Sequence, residues 1–207
     1  MSETITDVID HLSGISPGSQ LDQLRDIRKE ARKNSQQSYL DIFHPVEPYS
    51  QSFTLSERHL LAVFVALLHR KTEIATFYSA SLLNDDHALP LLETVSAEAQ
   101  QAVAQGPFGL YPEGPLTKED IPGPSYQPAP SVKDRIGKKL SAALAHAYLL
   151  VFHPRDAKQH ELQKLTEAGW STDDIVTLSQ LISFLAYQIR IVTGLKVLQQ
   201  ASPIGQE

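Results

Sequence analysis

Cysteine is absent from all 207 positions. That absence removes thiol nucleophiles, disulfides and cysteine-bound metals from whatever this chain does. An excess of basic residues is also absent. A net charge of −6 and a pI near 5.7 leave no basic face for nucleic acid or an anionic membrane. The one run rich in cations, Arg25 to Lys33, has Asp22, Asp26 and Glu30 placed around and within it, the pattern of a solvated helix face with opposite charges at helical spacing. Long apolar runs are missing too: the longest, Leu60 to Leu68, falls far short of a membrane span. No basic stretch followed by an apolar segment opens the sequence, so no signal peptide is expected and the cytoplasm is the expected location. The GxxxxGK[ST], GxGxxG and GxSxG patterns do not occur, which leaves nucleotide use and serine-hydrolase chemistry without support.

What remains is an ordinary globular composition, 42% hydrophobic and 20% charged, with helix signals along most of the chain. A short helix is expected over Thr4 to Leu12, ended by Gly14 and Pro17. A longer one starts at Ser19, with Asp22 at the capping-box position, and runs to Phe43 with a break near Asn34; His44-Pro45 stops it. Val46 to Phe53 reads as an irregular connection. Thr54-Leu55-Ser56-Glu57 is a second capping box, opening a helix to His69 that is apolar nearly all round and therefore belongs in a core. Helices follow over Thr72 to Leu83, with Ile74, Phe77, Tyr78 and Leu82 on one face, and over Leu89 to Ala104, with Leu92, Val95, Ala99 and Val103 inward.

Gly106 to Pro130 differs in kind. It holds seven of the thirteen prolines and four of the ten glycines, which excludes both helix and central strand. A connection this long is functional or mobile. Ser131 with Asp134 is expected to cap a helix to Phe152, Asp156 to start a shorter one to Ala168 before Gly169, and Ser171 with Asp174 to open the last helix, ending near Gln200. No segment alternates as an exposed strand does. The fold class is all-α. It divides into an N-terminal helical extension (1–53), a helical core (54–105), the Pro/Gly-rich linker (106–130) and a second helical half (131–200). A loose echo links the halves, since one apolar helix ends at His69-Arg70-Lys71 and another at His153-Pro154-Arg155.

The last helix carries Gln180, Ser183, Tyr187, Arg190 and Gly194 at spacings of three and four, one polar stripe on an Ile-, Leu- and Val-rich helix. Two readings stand. The stripe is a pocket wall in which Gln180, Tyr187 and Arg190 bind a ligand, Arg190 taking an anion bidentately. Alternatively it is a hydrogen-bond ladder between helices or subunits. The eight histidines do not make a metal site by spacing. His146, His153 and His160 fall seven apart, about 10 Å along a helix, too far to share one zinc ion, and neither HExxH nor paired Glu-x-x-His occurs. No metal and no cofactor are expected. Trp170 reads as a core or interface residue after a helix stop.

The block Leu55 to His69 with its following helix, and the block from Leu165 through Gln180 to Gly194, resemble the alkylhydroperoxidase D / carboxymuconolactone decarboxylase group, in its peroxidase-related branch. The resemblance covers most of the chain beyond about residue 36. It implies an all-α fold and a homo-oligomer, a trimer or hexamer. The group's peroxidase motif is a Glu, a Cys twelve residues on, a second Cys three further and a His four beyond. These positions fall on His59, Lys71, Ile74 and Tyr78 here, and none matches. Dithiol peroxidase chemistry is therefore excluded. Decarboxylation next to an unsaturated lactone needs only a proton donor and groups that hold the carboxylate and the developing enolate. His59, Lys71, Tyr78 and Arg190 are of the right types. Each also has a plainer reading: His59 hydrogen-bonded in a core, Lys71 capping the helix before it. The resemblance thus implies a cofactor-free enzyme or binder for a small acidic or peroxidised molecule. The alternative is a non-catalytic assembly protein with a degenerate site.

Overall fold

A computed structural model describes residues 5–47 and 52–201. Among them are nine α-helices and no strand: α1 (Val8–Ser13), α2 (Gln20–Asp26), α3 (Lys29–Phe43), α4 (Leu55–Leu68), α5 (Thr72–Ser79), α6 (Leu89–Ala102), α7 (Pro130–Phe152), α8 (Gln159–Glu167) and α9 (Thr172–Ala201). The chain groups into two compact units. Residues 1–47 and 186–207 form one, and residues 48–185 the other. Thr4, and positions 48–51 of the expected irregular connection, lie outside the described residues.

In the first unit the Asp7 carboxylate caps α1 through the amides of Ile9 and Asp10, and Gly14, at φ 70°, closes it in the left-handed region that suits glycine. Ser19 caps α2 as its sequence indicates. The helix does not then run to a break near Asn34. It breaks at Ile27–Arg28, and the two arginines on either side of that bend both reach α1. Arg25 bonds Asp7 at 2.9 Å and also Asp10; Arg32 bonds Asp7 at 3.0 Å, Asp22 and Asp26 at 2.8 Å each, and Asp10. Burial works against the Asp7 anion, but the Arg25 hydrogen bond and its neighbours outweigh it and hold that carboxyl below its ordinary value. The cation-rich stretch is therefore a fastening for α1 rather than a merely solvated face.

The second unit is organised around α4. Its capping box forms in full, with Thr54 Oγ1 accepting from the Glu57 amide at 3.2 Å and Glu57 Oε2 accepting from the Thr54 amide at 2.9 Å. Leu60, Leu61, Phe64 and Val65 are fully buried, as a helix that is apolar all round requires. Helices α5, α6 and α7 pack against it. After His69 the chain turns at Arg70, whose φ of 59° is unusual for a residue with a Cβ, and two backbone bonds close the turn. This sends α5 back along α4. The buried face of α6 is Thr94, Val95, Glu98 and Ala99, while Leu92 and Val103 are only half-buried.

Two helix starts in this unit depart from expectation. Pro130 at the first position, not Ser131 as cap, begins α7, consistent with proline's fixed φ and missing N–H. Asp156 ends a short 3-10 turn rather than capping α8, because its carboxylate is engaged by the Leu110 amide and by His153. Within α7, Gly137 is non-helical, at φ 81° and ψ 161°. The Ser171 hydroxyl caps α9 as expected, accepting from the Asp174 amide at 3.1 Å, and Gly169 at φ 100° terminates α8. The 106–130 segment belongs to the second unit and follows an irregular path. It contains one 3-10 turn at Thr117–Glu119 and a two-way backbone bridge between Gly109 and Ile121. Trp170 is buried, edge-on to Phe53 with ring centres 4.9 Å apart, and its Nε1 donates to the Lys139 carbonyl. Helix α9 is long and apolar enough to cross a membrane, but half of its most apolar stretch is buried within the protein.

Candidate functional site

The hairpin of α4 and α5 brings two of the sequence candidates together. His59, in the second turn of α4, is half-buried and its Nδ1 lies 2.8 Å from the Leu55 carbonyl oxygen. A carbonyl can only accept, so Nδ1 carries the proton, and in the neutral ring the lone pair is on Nε2. Tyr78, buried on α5, has its ring centre 6.4 Å from that of His59, and Phe77 packs edge-on to Tyr78 at 5.0 Å. Lys71 does not join them. It stands at the start of α5, seven residues before Tyr78, so about 10 Å of helix rise separates the two, and more than about 13 Å of α4 lies between it and His59. Ile74, one turn before Tyr78, is buried.

Helix α9 splits its candidates. Gln180 lies in the part belonging to the second unit, Tyr187 and Arg190 in the part belonging to the first. All five stripe residues are exposed, so they form neither a buried ladder nor an enclosed wall within either unit. Arg190 donates to the Ala186 carbonyl of its own helix at 2.8 Å. Ser35 spends its proton on the Ala31 carbonyl, so the 2.8 Å bond between Tyr187 and Ser35 is donated by the tyrosine, tying α9 to α3.

A second polar cluster has no clear signature in the sequence. On α6 the buried Glu98 accepts a 2.8 Å hydrogen bond from Tyr126 of the proline-rich segment. Burial, reinforced by that carboxylate, pushes the Tyr126 phenol well above its ordinary value. The Tyr126 ring lies 5.8 Å from Phe64 and 5.2 Å from Tyr148, centre to centre. Beside them, His153 presents Nδ1 to Asp156 at 2.9 Å and Nε2 to the Pro124 carbonyl at 2.9 Å. The Leu110 amide, helped by His153 and outweighing burial, holds the Asp156 carboxyl below its ordinary value. The signal for Glu98 is a carboxylate next to Ala99 on the inward face of α6; nothing in the sequence indicates its partner.

Among the described residues no group of three or more His, Asp or Glu side chains is placed to hold a metal ion. His146 is buried on α7 with Nε2 3.2 Å from Ser179 Oγ, and burial drives it down to about 4. Arg58, on the otherwise apolar α4, is buried with Nε donating to the Phe53 carbonyl at 3.2 Å. Asp174 is buried as well, accepting from Ser171 Oγ at 2.7 Å and from Ser52. Set against known proteins, the chain matches no protein-family model, no curated protein and no solved structure.

Proposed function

We propose that this chain is a cysteine-free protein of the alkylhydroperoxidase D / carboxymuconolactone decarboxylase type. On this reading it acts on a small unsaturated acid or lactone without a cofactor, with His59 transferring the proton and Tyr78 beside it. The observation that carries the reading is the His59–Tyr78 pair across the α4–α5 hairpin, 6.4 Å between ring centres, with the histidine tautomer fixed by the Leu55 carbonyl. A fixed tautomer presents one nitrogen for proton transfer, and a phenol next to it can donate to an oxyanion. In a decarboxylation the electron pair left by departing CO2 passes into the conjugated carbonyl, and the enolate so formed takes up a proton. These two groups suit that last step and the stabilisation before it. Lys71, at the far end of the hairpin, has no part in it.

The test is turnover of carboxylated unsaturated lactones followed by loss of ultraviolet absorbance, in the wild type and in His59→Gln and Tyr78→Phe. We expect measurable decarboxylation that falls at least about a hundredfold in His59→Gln. Turnover unaffected by either change contradicts the reading.

A second reading has its own observation. Tyr187, Val197 and Leu198 are large side chains 40%, 57% and 47% exposed on the last stretch of α9. This favours a subunit contact, in a homo-oligomer of three or six chains, in which the protein serves assembly rather than chemistry. Light scattering on wild type and Val197→Glu separates the two: an oligomer broken by the substitution, in a protein without turnover, supports assembly. On either reading we place the protein in the cytoplasm, from its net charge and the burial within α9.

A further inference from the structure

The proline-rich segment is held at the C-terminal end of α7 by a set of contacts that converge on one imidazole. Its first limb is bound where the Phe108 amide donates to the Phe152 carbonyl at 2.6 Å and the Leu110 amide to Asp156 Oδ1 at 3.1 Å. Its second limb is joined to the first by the Gly109–Ile121 bridge, with bonds of 2.8 and 3.2 Å, and by the Tyr111 amide donating to Asp120 at 2.7 Å. The Phe108 ring lies so close over Gly123 that a Cβ there would come within 2.2 Å of it, and the His153 ring is 5.2 Å from it centre to centre. His153 itself faces two acceptors, Asp156 Oδ2 and the Pro124 carbonyl, each at 2.9 Å.

Neither acceptor can donate while Asp156 is ionised, and the Leu110 amide and His153 keep it so. Both bonds therefore exist together only when both ring nitrogens carry protons. A neutral imidazole keeps one N–H. It stays on the carboxylate, the stronger acceptor, and leaves a lone pair facing the Pro124 carbonyl. That carbonyl also accepts from Tyr148 at 3.0 Å, so the second limb loses one of two bonds there. The remaining charged or titratable neighbours are few. Arg155 is turned onto the Tyr111 ring at 4.2 Å, Lys158 acts on Asp156 only through space, and the Tyr148 ring lies 6.0 Å from His153.

We propose that residues 106–128 form a strap latched by His153, closed when the imidazole is doubly protonated and loosened when it is neutral. The strap's own Tyr126 bonds Glu98 and lies against the rings of Phe64 and Tyr148, a contact that loosening opens to solvent.

Amide hydrogen exchange on the whole protein at pH 5.5 and pH 8.0, corrected for the intrinsic pH dependence of exchange, tests this. Protection of Phe108, Gly109 and Ile121 should fall about tenfold at the higher pH, the scale of one lost charge-assisted bond. In His153→Gln protection should be low at both values. A pH difference that survives the substitution, or no difference in the wild type, overturns the proposal. Nitrogen-15 spectra of the wild-type imidazole give a check that needs no variant. Two protonated ring nitrogens at pH 5.5, with loss of the Nε2 proton by pH 8.0, are expected; a singly protonated ring at pH 5.5 overturns it.

Discussion

Replacing His146 with leucine should remove a large part of the protein's acid sensitivity. The imidazole is buried on α7, touches Ser179 through Nε2, and has no hydrogen-bond partner at Nδ1 among the described residues. Burial disfavours the charged ring and Glu161, acting through space, offsets little of this, so the group sits near 4 instead of 6.5. The sign follows from linkage. The folded value lies below the unfolded one, so between about pH 4 and 6.5 the unfolded chain binds more protons. The stabilisation is whole above 6.5 and drains away as the pH falls through that window. A displacement of this size is worth about 3 kcal/mol in full, of which about 2.5 kcal/mol is lost between pH 7.5 and pH 4.5. Trp170, the single tryptophan, is buried in the same compact unit and reports its unfolding by fluorescence. Urea titrations at the two pH values should show the wild type losing about 2.5 kcal/mol more than His146→Leu. Equal losses in the two proteins would mean that His146 is not a source of the acid sensitivity.

Other perturbations test other parts of the fold. Tyr126→Phe deprives the buried Glu98 of its 2.8 Å donor and should cost about 2 kcal/mol in the same fluorescence titration; a change below about 0.5 kcal/mol contradicts a specific bond. Arg32→Met removes the hub that holds Asp7, Asp10, Asp22 and Asp26, and should cost about 1–3 kcal/mol at low salt, with loss of helical circular dichroism and a smaller effect in 1 M salt. Gly123→Ala drives a methyl group into the Phe108 ring, and should cost about 1–3 kcal/mol and make the 106–128 segment cleave faster under limited proteolysis.

Most of the helical framework is legible in the sequence because its signals are local. The Thr54–Glu57 box and the Ser171–Asp174 cap each act over three residues, and both form as their sequences indicate. The sequence misleads where a distant partner claims a local group. Asp156 reads as a helix cap, yet Leu110, forty-six positions away, and His153 take its carboxylate. The cation-rich stretch reads as a solvated face, and the bend at Ile27–Arg28 has no local signal, because nothing nearby in the chain shows that Asp7 and Asp10 lie across from Arg25 and Arg32. Glu98 and Tyr126 meet only through the fold of the proline-rich segment. Within the candidate site, His59 and Tyr78 are close because Arg70 reverses the chain after α4. Lys71 stands apart from Tyr78 for a reason the sequence does contain: seven residues along one helix are about 10 Å of rise.

On the function proposed above, the His59–Tyr78 pair receives a small unsaturated acid. The most direct measurement is a titration of isotope-labelled protein with a panel of unsaturated carboxylic acids and carboxylated lactones, watching the His59 imidazole and Tyr78 ring signals. We predict that at least one member shifts both sets of signals together and saturably, and that the shifts are lost in a folded His59→Gln variant. If no member moves either residue, or the same shifts persist without the imidazole, the pair is core packing and the chemistry assigned to it does not exist.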